Sequence, residues 1–570
     1  LRSTSPTIFS FSNYSWNLEL GYKFALLAKQ RDPNVVTVFG GPNFPTDENE
    51  KLDFLKKKPA IDFYIELEGE LGFVDLVKAL SENNFNVKQL KKHGKKIINT
   101  CYIHEDKLIT GSIERIKDIN IIPSPYLTGA LDHSFQLPLI PMIETTRGCP
   151  FTCTFCADGL DIKSKINRYE SQRTREELQL IAKNINKVDE LIVTDLNFGM
   201  YKQDMETAKE IANIQKNYNY PISVDAPAGK NMPKRIINIA SIMKGWSMGG
   251  VIQSSDPDVL KAIKRSNISI SAYQDLIDFG NKQKTNRTYT EIILGLPSDT
   301  KERHFESLRL GVEKSVNNLR MHQAMLLTGT EMASKRDREK YGLVTKFRTL
   351  PGNVGNYNIL NEEHPVAEIE EIVVGSNTLS MNDYVECRIM NLIIKTFYNN
   401  NIFNEIHSMQ RAMGISPFDC LLYIKDHEEM YTEKVKKIIK SFVTETTEDL
   451  FDTREKANEY VLSPNVINKY INGELGTNEL FLHSSLLFNE FKDISDLIFE
   501  SVKRVIKQKG LLTPLIENYL TDLKRFTLMR KNIPLNNTES VLLGEFEYDF
   551  ESIHKSEYFL NPNSISKLKT

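Results

Sequence analysis

A chain of 570 residues is too long for a single hydrophobic core, and we expect roughly two to four domains. Its 40% hydrophobic and 26% charged residues are typical of globular proteins, and a net charge of −3 gives no sign of a strongly basic nucleic-acid-binding surface. No apolar run approaches the roughly 18 to 20 residues that a membrane-spanning helix needs. Composition therefore favours neither a nucleic-acid-binding nor a membrane-spanning function, although a local basic patch is compatible with it.

The chain opens on Leu1, and residues 7–12 have the pattern of a strand, without the charged start and long apolar core of a signal peptide. We interpret this as a sequence that starts inside a domain, with an upstream strand–helix unit missing. A processed mature protein is the alternative.

Residues 1–92 alternate between strand and helix patterns. Buried-strand runs at 8–12, 35–39 and 63–65 are separated by amphipathic stretches, an order that indicates an α/β fold with a doubly wound, Rossmann-like parallel sheet. Ligands of such sheets bind beyond the carboxyl ends of the strands. Residues 93–138 are predicted to form a hairpin, with strands at 96–101 and 107–110, and then a linker rich in proline.

A second alternating region covers residues 139–345. Its six strand–helix units in about 200 residues fit a partial TIM-like (βα)6 barrel better than an open sheet. The predicted strands lie at 142–145, 190–194, 222–224, 248–253, 290–294 and 319–327. Residues 346–570 are predicted to be mainly helical, because apolar residues recur at three- and four-residue spacing in stretches such as 383–397 and 494–507.

Six cysteines occur in the chain, and three of them fall within eight positions. Disulfide-stabilised proteins carry denser, more evenly spread cysteines, so we expect a reducing, cytoplasmic setting. Cys387 and Cys420, in the predicted helical region, are more simply interpreted as small buried apolar residues than as redox groups.

The clustered cysteines form a C-x3-C-x2-C pattern, with Cys149, Cys153 and Cys156 directly after the first predicted barrel strand. Three thiolates on one short loop can hold three irons of a [4Fe-4S] cluster and leave the fourth open, whereas ferredoxins use four thiolates per cluster. Structural zinc usually needs a fourth Cys or His nearby, but the next ones are His304 and Cys387. Three incidental buried cysteines are the remaining alternative.

This motif, with Phe155 just before the third cysteine, resembles the cluster loop of the radical S-adenosylmethionine (radical SAM) superfamily. Further segments resemble the family's strand-end motifs in the same order along the chain. They are 194–198 after the second strand, 249–254 and 259–265 around the fourth, 291–300 around the fifth, and 327–331 with 341–343 at the sixth. The family's common Gly-Gly-Glu after the second strand is absent.

The resemblance implies a [4Fe-4S] cluster that binds S-adenosylmethionine at its open iron and cleaves it to a 5′-deoxyadenosyl radical, while the protein binds and orients both. It also implies candidate cofactor contacts from polar groups and a glycine at the strand ends. These are Asp195, Asn197, Asp225, Gln253, Arg265 and Gly295, with capping or surface roles as the alternative.

Within residues 1–92, the segments 11–17, 38–42 and 66–70 together resemble the later half of the cobalamin-binding domain that precedes the barrel in one subgroup of this superfamily. Gly40 and Gly41 end a strand where such a sheet would meet its ligand, so cobalamin is a further expected cofactor; an ordinary turn is the alternative.

The resemblance thus predicts a radical SAM enzyme that transfers a methyl group to an unactivated carbon or phosphorus centre with the help of cobalamin. It implies a small-molecule or natural-product-like substrate and an electron donor such as flavodoxin or ferredoxin. Two alternatives stay open: a cobalamin-independent radical rearrangement, cyclisation or oxidation, and a non-catalytic iron–sulfur or zinc-binding interaction protein.

Overall fold

The computed structural model describes residues 7–247, 249–283, 288–359, 361–531, 544–548 and 550. The first region is a mixed sheet in the order β1 to β5, in which β1, β2 and β3 are parallel and β4 and β5 continue as an antiparallel hairpin. The hairpin predicted within 93–138 therefore belongs to the N-terminal sheet, and its first strand lies at Thr100–His104 and not at the predicted 96–101. The elements are β1 (Ile8–Ser12), α1 (Leu18–Arg31), β2 (Val36–Gly40), α2 (Glu48–Lys57), β3 (Phe63–Ile65), α3 (Gly69–Glu82), α4 (Val87–Lys92), β4 (Thr100–His104) and β5 (Lys107–Thr110).

Helices cover both faces of this sheet, as the doubly wound prediction requires. Val38 of β2 packs with Leu76 of α3 on one face, while the next residue, Phe39, packs with Leu55 of α2 on the other. This alternation follows from the two-residue period of a strand. The carboxyl ends of β2 and β3 consequently open on the same edge of the sheet.

The second region is a partial barrel of parallel strands. Strands β6, β9 and β10 pair in parallel, as do β11 and β12. Its elements are β6 (Met142–Ile143), β7 (Thr146–Arg147), β8 (Asn167–Arg168), α5 (Ser171–Asn184), β9 (Glu190–Val193), α6 (Asp204–Tyr218), β10 (Ser223–Asp225), α7 (Pro233–Ile242), α8 (Pro257–Ala262), α9 (Ile270–Lys282), β11 (Tyr289–Leu294), α10 (Lys301–Glu313), β12 (Asn318–Gln323) and α11 (Lys335–Tyr341).

The fourth barrel position differs from the predicted strand at 248–253. Residue 248 lies outside the described residues, and the neighbouring chain joins β10 and β11 only through single parallel bridges, Val224 with Trp246 and Gln253 with Ile292 among them. A positive φ of 60° at Gln253 interrupts the extended conformation there. The chain keeps its place in the barrel without forming a regular strand.

A long antiparallel hairpin, which the sequence patterns did not predict, opens the third region. The helical prediction is confirmed for the described residues that follow it. The elements are β13 (Val344–Ile359), β14 (Glu362–Gly375), α12 (Met381–Phe397), α13 (Asn404–Ala412), α14 (Pro417–Asp426), α15 (Glu433–Glu448), α16 (Arg454–Val461), α17 (Ile467–Ile471), α18 (Glu479–Asn489), α19 (Phe491–Gln508) and α20 (Pro514–Lys531).

Two packing contacts fix this third region against the barrel. Ile394 of α12 shares a buried core with Leu308 of α10 and Leu319 of β12, so α12 covers the outside of the last barrel strand. Strand β14 meets the chain just after β12 through an antiparallel bridge between Ile372 and Met325. The hairpin thereby reaches the carboxyl end of the barrel. No helix in the described part of the chain combines the length and apolar character needed to cross a membrane.

Candidate active site

The three clustered cysteines lie on a loop that leaves the barrel after β6 and is held at its base by the antiparallel pair β7 and β8. Cys149 and Cys153 are buried, and Cys156 is half-buried. Gly148 has a φ of 111°, and a Cβ there would lie 2.6 Å from the Lys165 carbonyl oxygen, so only glycine allows the loop to close this tightly. The loop thus places all three thiols at the carboxyl end of the first barrel strand.

Asp195, at the end of β9, fixes the start of this loop. Its Oδ1 accepts backbone hydrogen bonds from Thr145 at 2.7 Å and Thr146 at 3.0 Å, and the Thr145 hydroxyl donates to its Oδ2. Burial raises the pKa of Asp195 to about 6, against the lowering effect of these donors. Asp195 is therefore placed to position the cysteine loop.

Donor and cationic groups surround the thiols. The Asn197 side-chain amide donates to Cys149 Sγ at 3.4 Å, and the Lys230 ammonium lies 3.8 Å from Cys153 Sγ. Arg265 is buried beside Cys153: burial lowers the pKa of its guanidinium, and the thiol opposes this effect. Hydrogen-bond donors and positive charge beside sulfur suit cysteines that bind metal, and they act against burial, which raises the pKa of the Cys156 thiol.

The thiols and their neighbours fit an iron–sulfur cluster with an amino-acid-like ligand. In the described residues no three His, Cys, Asp or Glu side chains lie close enough together to bind a single metal ion. A cubane cluster does not require such convergence, because each thiolate binds a different iron. Asn197 Oδ1 and Gln253 Oε1 are buried and lack hydrogen-bond partners in the described structure. Such orphaned acceptors match the ammonium group of S-adenosylmethionine.

The other predicted contact residues fall at the same end of the barrel with differing surroundings. Arg265 donates to the Val251 carbonyl oxygen at 2.5 Å and to Asn267 Oδ1 at 3.1 Å. Gly295 has a φ of 85°, and a Cβ there would lie 3.2 Å from the Val373 carbonyl oxygen of β14. Asp225 is exposed at the end of β10. Cofactor contacts by these residues remain predictions.

A cavity of about 850 Å³ lies between the N-terminal sheet and the cysteine loop. The loops after β2 and β3 form one side, and Thr146, Gly148 and Thr194 form part of the other. Its volume falls within the range of small-molecule and cofactor sites. The carboxyl ends of both parallel sheets thus face one shared space, which suits a cofactor bound by both regions.

The two predicted glycines relate to this cavity differently. Gly41 lines it, whereas Gly40 is not among the lining residues. Gly41 has a φ of 131°, and a Cβ there would lie 2.5 Å from the Asn13 carbonyl oxygen, so packing within the chain already requires glycine. Contact of either glycine with cobalamin remains a prediction.

Arginines that the sequence patterns did not single out join the two regions around this cavity. Arg115 donates to Glu68 Oε1 at 3.0 and 2.9 Å and to the Lys165 carbonyl oxygen at 2.7 Å. Arg147 pairs with Glu70 at 3.0 Å and with Glu144 at 2.8 Å. Glu68 and Glu70 were visible in the sequence as part of the cobalamin-domain resemblance, but their arginine partners carry no spacing signal.

Comparisons with known proteins agree with this geometry. Residues 143–310 match the family model of the radical SAM superfamily. The cobalamin-dependent radical SAM methyltransferase TokK of Streptomyces tokunonensis is 28% identical over 67% of this chain and 55% of its own length. The 2-(S-pantetheinyl)-carbapenam-3-carboxylate methyltransferase of Streptantibioticus cattleyicolor is 28% identical over 67% of this chain and 56% of its own length. The chain therefore spans about half the length of these curated relatives.

Among solved structures, the cobalamin-dependent S-adenosylmethionine radical enzyme OxsB, with aqua-cobalamin and S-adenosylmethionine bound, aligns with 92% of this chain and 75% of its own. Its sequence identity is 14% and the TM-score is 0.48.

Proposed function

We propose that the chain is a radical SAM enzyme, and that it is a cobalamin-dependent methyltransferase acting on an unactivated carbon or phosphorus centre. The observation that carries the proposal is the shared cavity, which has the three-cysteine loop on one side and the strand ends of the Rossmann-like sheet on the other. An enzyme that joins radical formation to methyl transfer needs both cofactors to face one space.

Each cofactor would be held by residues of its own region. Cys149, Cys153 and Cys156 would bind the cluster, and Asn197 and Gln253 would accept hydrogen bonds from the amino group of S-adenosylmethionine. When bound, the cluster supplies the electron that cleaves S-adenosylmethionine, and cobalamin carries the methyl group. Lys230 and Arg265 stabilise negative charge at the cysteines, and Asp195 keeps the loop in register with the barrel.

The proposal extends to the setting of the reaction. We infer a small-molecule or natural-product-like acceptor, in keeping with the carbapenam substrate in the name of one relative. We also infer a cytoplasmic location and a low-potential electron donor such as flavodoxin or ferredoxin. The domain division at 92, 138 and 345 is part of the same proposal.

Anaerobic reconstitution with iron and sulfide tests the cluster. The wild-type chain should show the [4Fe-4S] absorption band and release 5′-deoxyadenosine from S-adenosylmethionine under reduction. Cys153→Ala should lose both while its circular dichroism stays unchanged. Cys420→Ala is the matched control, because this thiol is equally buried but lies on α14, away from the loop. A Cys153→Ala variant that still releases 5′-deoxyadenosine would contradict the assignment.

Cobalamin retention, read from the visible spectrum, tests whether the protein binds the second proposed cofactor. Gly69 lines the shared cavity, and a Cβ at this position would meet no atom within 4 Å. Gly69→Phe should therefore place a ring in the cavity and abolish cobalamin binding, whereas Gly69→Ala should still bind. Retention by the phenylalanine variant would place cobalamin elsewhere. Absence of binding by the full-length wild-type protein would favour cobalamin-independent radical chemistry.

A further inference from the structure

The turn between β3 and α3 lines the shared cavity with Glu66 and Leu67. Hydrogen bonds fix this turn on both sides of the two residues. The Glu66 backbone N–H donates to the Asn99 carbonyl oxygen at 2.7 Å, and Glu68 accepts from Arg115 at 3.0 and 2.9 Å. The fold therefore holds Glu66 and Leu67 in a set position at the cavity wall.

The Glu66 side chain uses only one of its oxygens in an ion pair. Oε2 lies 2.7 Å from the Lys51 ammonium of α2, and the side chains of the pair are 13% and 8% exposed. Oε1 is buried and has no hydrogen-bond partner among the described residues. The Cys101 thiol beside Glu66 is a weak donor, and burial raises its pKa, so it stays protonated. A buried carboxylate oxygen without a strong donor is costly, so this wall favours a ligand that brings an N–H group.

Charge balance restricts the kind of N–H group that fits. Lys51 already compensates the charge of Glu66, and Arg115 compensates that of Glu68. A cationic donor would add a charge without a counterion, whereas a neutral donor would complete the hydrogen bonding. A primary amide is such a neutral donor, and primary amides surround the corrin ring of cobalamin.

Leu67 shows a second property of a ligand-binding position. Its φ of 55° lies in the left-handed region, which leucine rarely adopts because its Cβ crowds the backbone. Such strain persists where the surroundings fix a residue, and it concentrates at ligand-binding sites. Leu67 is half-buried and lines the cavity beside Glu66, so the turn offers an apolar group next to an acceptor oxygen.

We propose that Glu66 and Leu67 recognise one primary amide of cobalamin: Glu66 Oε1 accepts the amide N–H, and Leu67 packs against the chain that carries the amide. A corrinoid with a carboxylic acid at that position would bring two carboxylates together and lose the hydrogen bond. The turn thus selects fully amidated cobalamin. This inference rests on the proposed function, which places cobalamin in the shared cavity.

The test compares cobalamin with its monocarboxylic acids, in each of which one primary amide is hydrolysed, by equilibrium dialysis against the full-length protein. The wild type should bind one of these acids about tenfold less tightly than cobalamin, because like charges meet at Glu66. Glu66→Gln should abolish this discrimination, because the glutamine amide can donate to the carboxylate of the same acid. Glu19→Gln is the matched control: this carboxylate pairs with Lys58 at 2.9 Å but does not line the cavity, so the variant should discriminate as the wild type does.

Further variants separate recognition from folding. Glu66→Gln leaves Lys51 without its counterion, so a double variant with Lys51→Met removes the buried charge as well and should show the same loss of discrimination. Leu67→Ala keeps the Cβ but loses the apolar contact, and it should bind cobalamin severalfold less tightly. Leu67→Gly should weaken binding too, while raising the denaturant midpoint, because glycine adopts a positive φ without strain.

The inference is overturned if the wild type binds every monocarboxylic acid as tightly as cobalamin, if the Glu66 variants discriminate as the wild type does, or if Leu67→Ala binds cobalamin unchanged. These outcomes leave the proposed function intact, because cobalamin still binds. A protein that binds no cobalamin would instead contradict cobalamin-dependent methyl transfer together with this inference.

Discussion

At the scale of single residues, the candidate site depends on Asp195, a buried carboxylate that positions the cysteine loop; its predicted contact with a cofactor remains a prediction. It accepts the backbone N–H groups of Thr145 and Thr146, the two residues that carry the chain from β6 towards the cysteines. Few side chains satisfy two consecutive buried backbone donors, so the acidic residue found by motif resemblance has a structural reason to be there.

We expect Asp195→Leu to disorder the cysteine loop. The substitution leaves two buried N–H groups without acceptors, at a cost of about 1–3 kcal/mol each. It should lower the free energy of unfolding by about 2–6 kcal/mol and reduce the iron bound after reconstitution. Asp195→Asn keeps a carbonyl oxygen in place and is the matched control. Denaturant unfolding and iron analysis measure both effects; equal iron content in the leucine variant would contradict the role.

At the scale of elements, the hairpin of β13 and β14 joins regions that are distant in the chain. The Glu368 side chain of β14 accepts the backbone N–H groups of Glu19 and Leu20, at 3.1 and 3.0 Å, and so caps the first turn of α1. Those N–H groups have no partners within the helix, and a carboxylate also favours the positive end of the helix dipole. The hairpin thus holds the N-terminal sheet as well as the barrel.

Burial makes this cap dependent on pH. Burial raises the pKa of Glu368 to about 7 from an ordinary value of 4.5. Between pH 4.5 and pH 7 the folded protein therefore keeps a proton on Glu368 that the unfolded chain has lost. Stability from this group is therefore present below pH 4.5 and falls as the pH rises towards 7. Glu368→Gln carries no titrating proton, and its stability relative to the wild type should rise by up to about 3 kcal/mol between pH 5 and pH 8.

Unfolding in denaturant at the two pH values checks this expectation. Glu363→Gln on the same strand is the control, because this side chain is exposed and its substitution should give no such change. A Glu368→Gln difference that is equal at pH 5 and pH 8 would show that the carboxylate keeps its charge in the fold.

The same hairpin shows what sequence patterns predict and what they miss. Periodicity predicted most helices and the parallel strands other than the fourth barrel strand, because each of these elements buries one face against its neighbours. Strand β13 contains Pro351 and Gly352, which usually mark loops, and the sheet accommodates them through a register shift between Thr349 and Val354. The local sequence therefore indicated a break where the fold has a bulge.

The candidate site likewise has one part that the sequence predicts and another that it does not. Three cysteines within eight positions are a local signal, so the cluster loop could be predicted from spacing alone. Lys230 and Arg115 act through contacts with residues that are distant in the chain, and charged residues of these types occur throughout the sequence. Only the folded arrangement distinguishes them from ordinary surface charges.

At the scale of the whole molecule, the shared cavity exists only while the N-terminal sheet stays docked on the barrel. Arg115 is central to this docking: its side chain is 13% exposed, and it bridges Glu68 of the N-terminal region to the Lys165 carbonyl oxygen of the cysteine loop. Gly329 of the barrel adds a close approach, since a Cβ there would lie 2.5 Å from the Phe44 carbonyl oxygen. These contacts lead us to expect that the two regions unfold together.

The two tryptophans of the chain can measure this coupling, since Trp16 lies in the N-terminal region and Trp246 is buried in the barrel. Trp246→Phe leaves a reporter of the first region, and Trp16→Phe leaves a reporter of the second. In these backgrounds Arg115→Met should separate two denaturant midpoints that otherwise coincide, because it leaves the largely buried Glu68 carboxylate without its cation. Arg175→Met, at an exposed arginine 3.7 Å from Glu210, should leave them together. If the midpoints still coincide in Arg115→Met, the regions are held together by their remaining contacts, and cofactor binding across the cavity does not depend on this arginine.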